Sequence, residues 1–439
     1  MKGMKKVACP RLTLLSGFKD ILPPDGSSLR LIEEKAKSVF EKYGFDEIYL
    51  PLLEKTELFL RSIGETTEIV EKQMYTFEDS DGESLTLRPE GTASIVRAYI
   101  EHSLFQKEPY TKLWYSGPMF RHERPQKGRF RQFYQVGAEV FGLEGPLIDA
   151  ELLDMLMQFF EELGVKGLEV QVNSLGCKKC RPEYTKKLAS FFKKNVKGLC
   201  EDHKKKVTLN PLRIMDCKKD PCRELSSRAP SIPENLCQDC NRHFEDFKGN
   251  LRALEVPFVV NARIVRGLDY YTRTAFEVIS KGLGAQNAVA AGGRYDDLVG
   301  EMGGPATPAI GFAIGVDRLL SLVGPIKEKR RLEVFVAILG EDGYSKAMVL
   351  IHQLRRSGVS AERDNWRPGV GKAPSLKSQM RRAEKLGARY VVIVGGEELK
   401  RQNIVIRDME KKEQQEIELT ICVDYIRKLT QSPSGSPGD

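Results

Sequence analysis

The sequence predicts an α+β protein: a large first domain built on an antiparallel sheet, carrying a small insertion, and then a separate α/β domain. Three observations carry this expectation. From Ser28 to Tyr43 the apolar residues Leu29, Ile32, Ala36, Val39, Phe40 and Tyr43 recur at helical spacing, and Gly44 follows where a helix ends. The stretches LWYSGPMFR and QFYQVGAEV flank a basic loop, HERPQKGRFR, and read as a β-hairpin. After the basic segment GPIKEKRR the pattern changes to an alternation of strand and helix.

Taken in order, FDEIYLP reads as a strand leading into Pro51, LTLRPE and KLWYSGPMFR as further strands, and Thr92 to Leu104 as a helix between them. RTAFEVIS, QNAVAAGG and PAIGFAIG continue the sheet, so residues 1–325 are assigned to one domain. Within it, residues 175–250 are rich in Lys, Cys and Pro with few aliphatic runs, and read as an insertion with a poor core of its own. Residues 331–430 are assigned to the second domain. It has strand VFVAIL, helix SKAMVLIHQLRR closed by Gly358, a short strand, helix SLKSQMRRAEKL closed by Gly387, and strand RYVVIVGG. That alternation predicts a parallel sheet. The tail, residues 431–439, ends SPSGSPGD and is expected to be disordered.

In the hairpin, period two puts Val136, Ala138 and Val140 on one face, which packs into a core. Gln135, Gly137 and Glu139 occupy the other, where a glycine between an amide and a carboxylate leaves room for a ligand. The loop presents Arg124, Lys127 and Arg129 to whatever approaches, with Arg121 at its base.

The chain has 439 residues, 41% of them hydrophobic, enough for two or three domains with cores. A formal net charge of +8 with both signs abundant suggests a locally basic surface for a polyanion rather than a basic tail. The start, MKGMKKVACPRL, has no apolar segment of signal-peptide length, and no later run approaches the roughly 20 apolar residues of a membrane helix. A cytoplasmic location is expected.

Of nine cysteines, Cys9 and Cys422 stand alone and seven lie between Cys177 and Cys240. In a reducing compartment such a cluster points to metal rather than disulfides. Four pairs occur: Cys177 and Cys180, Cys200 and His203, Cys217 and Cys222, Cys237 and Cys240. Three have zinc-knuckle spacing, and Cys217 with Cys222 is at the long end of the range. Eight ligands would fill two tetrahedral Zn²⁺ sites, one of them made of three cysteines and a histidine if His203 takes part. Spacing leaves open which pairs share an ion, and a structural role far from the chemistry is expected.

FRHE, the loop and Gln135 to Glu139 resemble motif 2 of the class II aminoacyl-tRNA synthetases; FDEIYLPLLE resembles motif 1, and GFAIGVDRL motif 3. VRGLDYYTRTAFEV and AGGRYDDLVG are similar to the two signatures of the histidyl-tRNA synthetase family. The resemblance implies a class II synthetase-like catalytic domain and a C-terminal anticodon-binding domain, with ATP, Mg²⁺, L-histidine and tRNA(His) as substrates and partners, and a homodimer joined through motif 1. It implies that Arg121 and Arg266 flank the α-phosphate as catalytic groups, and that Glu123 and Arg318 complete the ATP site. It further implies Glu90, Thr92 and Gln135 at the α-amino group of histidine. Glu139, Tyr271 and Tyr295 would face the imidazole, with Tyr270 and Arg266 alongside. Arg124 and Gln126 match positions that read the extra 5′ guanosine. Lys377, Arg381, Arg382 and Lys385 make a basic stripe in the second domain.

Two other readings compete. One is a non-catalytic synthetase-like paralogue acting as a regulator or tRNA sensor. The other is a zinc-dependent nucleic-acid-binding protein, which leaves the five motifs unexplained.

Overall fold

The computed structural model describes residues 12–431 apart from 65–66, 127, 205–206, 208–210, 216, 218, 266–267, 269, 284–286 and 325–331. Two compact units divide the chain, residues 1–326 and 327–439. Lys127, Arg266, Cys9 and the tail after residue 431 lie outside the described residues.

The first unit is organised by an eight-stranded sheet. Its order is Asp46–Glu47, Thr111–Phe120, Gln132–Phe141, Ala309–Gly315, Ala288–Arg294, Thr272–Ser280, Leu168–Ser174 and Phe258–Val260. Every internal pairing is antiparallel; only the two short edge strands pair in parallel. The hairpin register sets Tyr115 opposite Gly137 and Leu113 opposite Glu139.

One face of the sheet is covered by helices Asp25–Lys42, Pro146–Glu162, Gln238–Ala253 and Val316–Val323. Ile32, Ala36, Val39 and Phe40 of the first helix are fully buried against Val136, Ala138 and Val140, as the two periodicities predict. Gly44 sits at φ +77°, where a side chain would be strained. Phe40 touches Trp114, Phe159 and Phe312 at centroid distances of 5.7–5.9 Å, tying helix to sheet.

Several expectations are amended. FDEIYLP contributes only Asp46–Glu47 as strand. LTLRPE does not join the large sheet: Ser84–Leu87 lies between Leu53–Lys55 and Tyr75–Glu78 in a separate three-stranded sheet. The cysteine-rich segment does have a core, with Tyr184, Leu188, Phe192, Leu199, Val207, Ile214, Met215, Cys222 and Ile232 buried together. Helix Gln238–Ala253, at its C-terminal end, sends Phe244, Phe247 and Leu251 into the core under the sheet.

The second unit is a five-stranded sheet ordered Ala361–Arg363, Val334–Ile338, Tyr390–Val394, Asn403–Asp408, Gln414–Glu418. The first three strands are parallel, as alternation predicts; the last two return antiparallel. Buried Gln379 fastens helix Leu376–Lys385 to the sheet by accepting from Ile338 N–H at 2.9 Å and donating to its carbonyl at 2.8 Å.

Where strand Ala288–Arg294 ends over helix Pro146–Glu162 lies a buried ion pair. Arg294 donates to Asp149 at 2.5 Å, to Asp296 at 3.0 Å and to the Leu143 carbonyl at 2.8 Å, while Thr274 donates to Asp149 at 2.6 Å. Arg294 and Asp149 side chains are both inaccessible to solvent. Removing one partner strands a charge in a low-dielectric interior, so Arg294→Met should cost about 3–5 kcal/mol in denaturant unfolding. Adding Asp149→Asn should restore much of it; a double variant no more stable than the single one would remove the ion pair as the cause.

Candidate active site

The upper face of the hairpin meets helix Thr92–Glu101 and the segments at 270–272 and 294–297 in a pocket lined with buried polar groups. Glu139 is 1% exposed. One of its oxygens accepts from the Thr92 hydroxyl at 2.6 Å and the other from the Tyr295 hydroxyl at 2.5 Å. Burial nonetheless pushes its carboxyl up to about 8, against the lowering effect of both hydrogen bonds. Glu90 precedes the helix and accepts from the N–H groups of Thr92 and Ala93 at 2.8 and 2.7 Å, so it caps the helix while remaining in the pocket. Its carboxyl is likewise raised by burial, with the two N–H donors opposing.

Tyr270, Tyr271 and Tyr295 are buried; the rings of Tyr270 and Tyr271 lie 4.7 Å apart and those of Tyr270 and Tyr295 5.7 Å apart. Gln135 points a buried carbonyl oxygen that has no hydrogen-bond partner among the described residues. The Tyr115 hydroxyl is in the same condition. An unsatisfied buried acceptor is costly unless something completes it.

Next to this pocket lies a narrow cleft lined by Arg121, Glu123, Arg129, Phe133, Asp317 and Arg318, with about 90 Å³ of free space. Arg121 is steadied by a hydrogen bond from Nε to the Pro89 carbonyl at 2.8 Å, and its guanidinium lies over the Phe133 ring at 5.3 Å. Arg318 donates to the Ala288 carbonyl at 2.7 Å. Glu123 pairs with Arg129 at 3.0 Å across the cleft. Arg124 and Gln126 are exposed on the loop, which is tightened by reciprocal backbone bonds between Gln126 and Arg129.

The structure therefore brings Glu90, Thr92, Gln135, Glu139, Tyr270, Tyr271 and Tyr295 into one region and Arg121, Glu123 and Arg318 into its neighbour. Some contributors escaped the sequence. Tyr115 occupies the space over Gly91 and Gly137, where an added Cβ would lie 2.2 and 2.4 Å from the ring. Gly311 makes room for Glu139, since a Cβ there would fall 1.5 Å from its oxygen. Buried Arg88 donates to the carbonyls of Leu50, Pro51 and Pro118, joining the first and second motifs. A glycine facing a tyrosine across a ladder is the one signal that pairing could have supplied.

In the cysteine-rich segment the eight candidate ligands fall into two groups: Cys177, Cys180, Cys237 and Cys240, and Cys200, His203, Cys217 and Cys222. Within each, all donor atoms lie within 4.8 Å of one another.

A large antiparallel sheet with a basic-loop hairpin, followed by a glycine-rich strand and helix, defines the catalytic core of a class II aminoacyl-tRNA synthetase. Comparison with known proteins narrows this. The family profile for histidyl-tRNA synthetase matches residues 17–319, and that for the anticodon-binding domain residues 333–429. The chain is 50% identical over 406 residues to the histidine–tRNA ligase of Syntrophotalea carbinolica, covering 92% of this chain and 96% of that one. With the histidine–tRNA ligase of Geobacter sulfurreducens it shares 49% identity over 409 residues, covering 93% and 98%. The crystal structure of apo S. aureus histidyl-tRNA synthetase superposes with a TM-score of 0.78 at 33% identity, covering 95% of this chain and all of that one. The chain belongs to the histidyl-tRNA synthetase family. Among the described residues, no helix is long and apolar enough to cross a membrane.

Because the Glu139 carboxyl is raised from 4.5 to about 8, it favours folding most fully below its unfolded value, and that contribution is lost as pH rises through the folded one. The ligand-free protein should therefore lose stability relative to Glu139→Gln between pH 4.5 and about 8, measured by urea unfolding across that window. Parallel stability profiles would show that the carboxyl is not desolvated.

Proposed function

We propose that the chain joins histidine to tRNA(His) in two steps on this face of the sheet. In the first, a carboxylate oxygen of histidine bonds to the α-phosphorus of ATP as the bond to pyrophosphate breaks, giving histidyl-adenylate. In the second, the 3′-hydroxyl of the terminal tRNA adenosine attacks the carbonyl carbon and AMP leaves. One observation carries the assignment of sites: a desolvated acidic pocket and an arginine-lined cleft adjoin at the base of one hairpin.

Glu90, Thr92 and the unpartnered Gln135 carbonyl suit the α-ammonium group, a donor with three hydrogens. Glu139 and the hydroxyls of Tyr271 and Tyr295 suit the imidazole, where a carboxylate on one ring N–H fixes the tautomer; Tyr270 packs beside them. Substrate hydrogen bonds of this kind reject analogues lacking the polar atoms by about four to five orders of magnitude, so the fidelity needs no editing site. Arg121 would neutralise charge growing on the α-phosphate, Glu123 would hold the nucleotide, and Arg318 would stack on adenine. Arg266 would act opposite Arg121 on the strength of its sequence motif. Magnesium brought with ATP would shield the remaining phosphates.

Exposed Arg124 and Gln126 are free to meet the 5′ guanosine of the tRNA. The exposed stripe Lys377, Arg381, Arg382 and Lys385 suits the phosphate backbone near the anticodon. A paralogue without catalysis would not need this full set, and family membership at half identity favours the ligase. The eight ligands of the cysteine-rich segment suit two zinc ions, and their thiols a reducing, cytoplasmic setting. Pyrophosphate exchange with each amino acid tests the reading: histidine alone should support it, and Arg266→Ala should slow it by about two to three orders of magnitude. Normal exchange in that variant would remove Arg266 from the mechanism.

A second copy is the other proposed partner. The apolar face of helix Asp25–Lys42 is already covered within the subunit, so the helix would meet a second copy by its outer face and the apolar contact would come from the strand through Pro51. Tyr49, Leu52 and Leu53, flanking Pro51, are 82, 43 and 41% exposed, an apolar strip that a two-fold interface would bury. Sedimentation should give a dimer at micromolar concentration, and Tyr49→Lys should weaken it; a stable species of 49.5 kDa would exclude it.

A further inference from the structure

The two cysteine groups differ in what they are built into. Cys200, His203, Cys217 and Cys222 surround the insertion's own small core, in which Cys222 is buried. The other group spans the insertion's base. Cys177 and Cys180 follow strand Leu168–Ser174 directly, and Cys237 and Cys240 open helix Gln238–Ala253.

At the base, Sγ–Sγ distances are 3.9 Å for Cys177 and Cys180, 3.8 Å for Cys177 and Cys237, and 3.9 Å for Cys180 and Cys240. Disulfides require about 2.05 Å. Four sulfurs at about 2.3 Å from a tetrahedral zinc stand about 3.8 Å apart, so the thiols already have the edge lengths of a four-thiolate site. Backbone N–H groups of Cys177 and Lys179 point at Cys180 Sγ and Cys177 Sγ at 3.3 and 3.4 Å, donors that favour thiolates. Gly176, at φ +65°, admits this turn: a Cβ there would lie 2.7 Å from Cys180 Sγ.

The same turn touches both segments that flank the acidic pocket. Leu175 N–H donates to the Arg273 carbonyl at 2.6 Å, and Arg273 N–H to the Gly176 carbonyl at 2.8 Å. Arg181, next to Cys180, donates to the carbonyls of Leu175, at 3.2 Å, and of Tyr271. Lys178, inside the knuckle, pairs with Asp297 at 3.3 Å and Glu301 at 3.2 Å, just after Tyr295. The Lys178 pairs are exposed and contribute little; the Arg181 contact is half-buried and holds a backbone carbonyl in place.

Resting on the zinc reading above, we propose that the Cys177–Cys180–Cys237–Cys240 ion is a positioning site for histidine recognition. By freezing the knuckle it sets Arg181, and through Arg181 the main chain of Tyr271. The Cys200–His203–Cys217–Cys222 ion stabilises only the insertion. The first site is thus not remote from the chemistry.

The test uses the full chain purified without chelator, with zinc measured by elemental analysis and histidine and ATP affinities by calorimetry. Wild type should hold two zinc. Cys237→Ser with Cys240→Ser should hold one and bind histidine about tenfold more weakly, with ATP affinity little changed, as expected of a supporting contact. Cys217→Ser with Cys222→Ser should also hold one but bind histidine normally. Arg181→Met should keep both ions and show the histidine defect, which serves if a cysteine variant fails to fold. Wild-type protein without zinc would overturn the zinc reading itself. One zinc lost with histidine affinity intact, or an Arg181→Met protein that binds histidine normally, would overturn the positioning role alone.

Discussion

A carboxyl group withdrawn from water in the middle of a sheet is the demand around which the first unit is arranged. Glu139 sits on a central strand with neighbours on both sides, so its space, its hydrogen-bond donors and its rigidity all have to come from other strands. Gly311 gives the space across one ladder. Thr92 and Tyr295 give the donors, from elements 47 positions before it and 156 after it in the chain. Tyr295 is held in turn because its neighbour Arg294 is locked to Asp149 underneath. A half-satisfied buried network is worse than an apolar one, which explains why the fold devotes so many specific contacts to one side chain.

The sheet separates two tasks by face. Toward the four helices, Val136, Ala138 and Val140 are interchangeable in kind with any aliphatic core, and stability comes from area removed from water. Toward the pocket, Gln135, Gly137 and Glu139 stand among buried polar groups, and the Gln135 carbonyl and the Tyr115 hydroxyl have no hydrogen-bond partner among the described residues. The cost of that incompleteness is carried by the opposite face. Arg121 belongs to a third environment, at the strand end, where a backbone carbonyl and an aromatic ring orient a guanidinium that still reaches the cleft.

What could be read from the sequence is what short-range periodicity determines. The helix Asp25–Lys42, the hairpin and its two faces and the glycine-closed helices of the second unit were legible because side-chain direction follows from period 3.6 or 2, whereas Glu90, Thr92 and the tyrosines of the pocket were legible only through the resemblance of their motifs to the family's. What was not legible depends on partners far along the chain. Ser84–Leu87 has the composition of a strand in either sheet, and only its neighbours at 53–55 and 75–78 decide which. Arg88, Tyr115 and Asp149 look like ordinary surface or core residues until the chain brings Pro118, Gly137 and Arg294 to them. The grouping of the cysteine pairs was hidden for the same reason. Loop-closure cost rises so slowly with length that Cys177 can join Cys237 as readily as it could join Cys200.

The order of strands has a further consequence for how the protein is made. Gln132–Phe141 hydrogen-bonds on one side to a near neighbour in sequence and on the other to Ala309–Gly315. The hairpin can form early, but its second edge stays open until some 170 more residues have been synthesised, as the interval from Phe141 to Ala309 requires. During that time a long edge rich in aliphatic side chains is a template for pairing with other chains. The helices at 25–42 and 146–162 are available sooner and can cover its apolar face, while the exposed ladder itself has no substitute. Nascent chains that stop before residue 309 should thus be the aggregation-prone form of this fold, and the late glycine-rich strand acts as its closing seam.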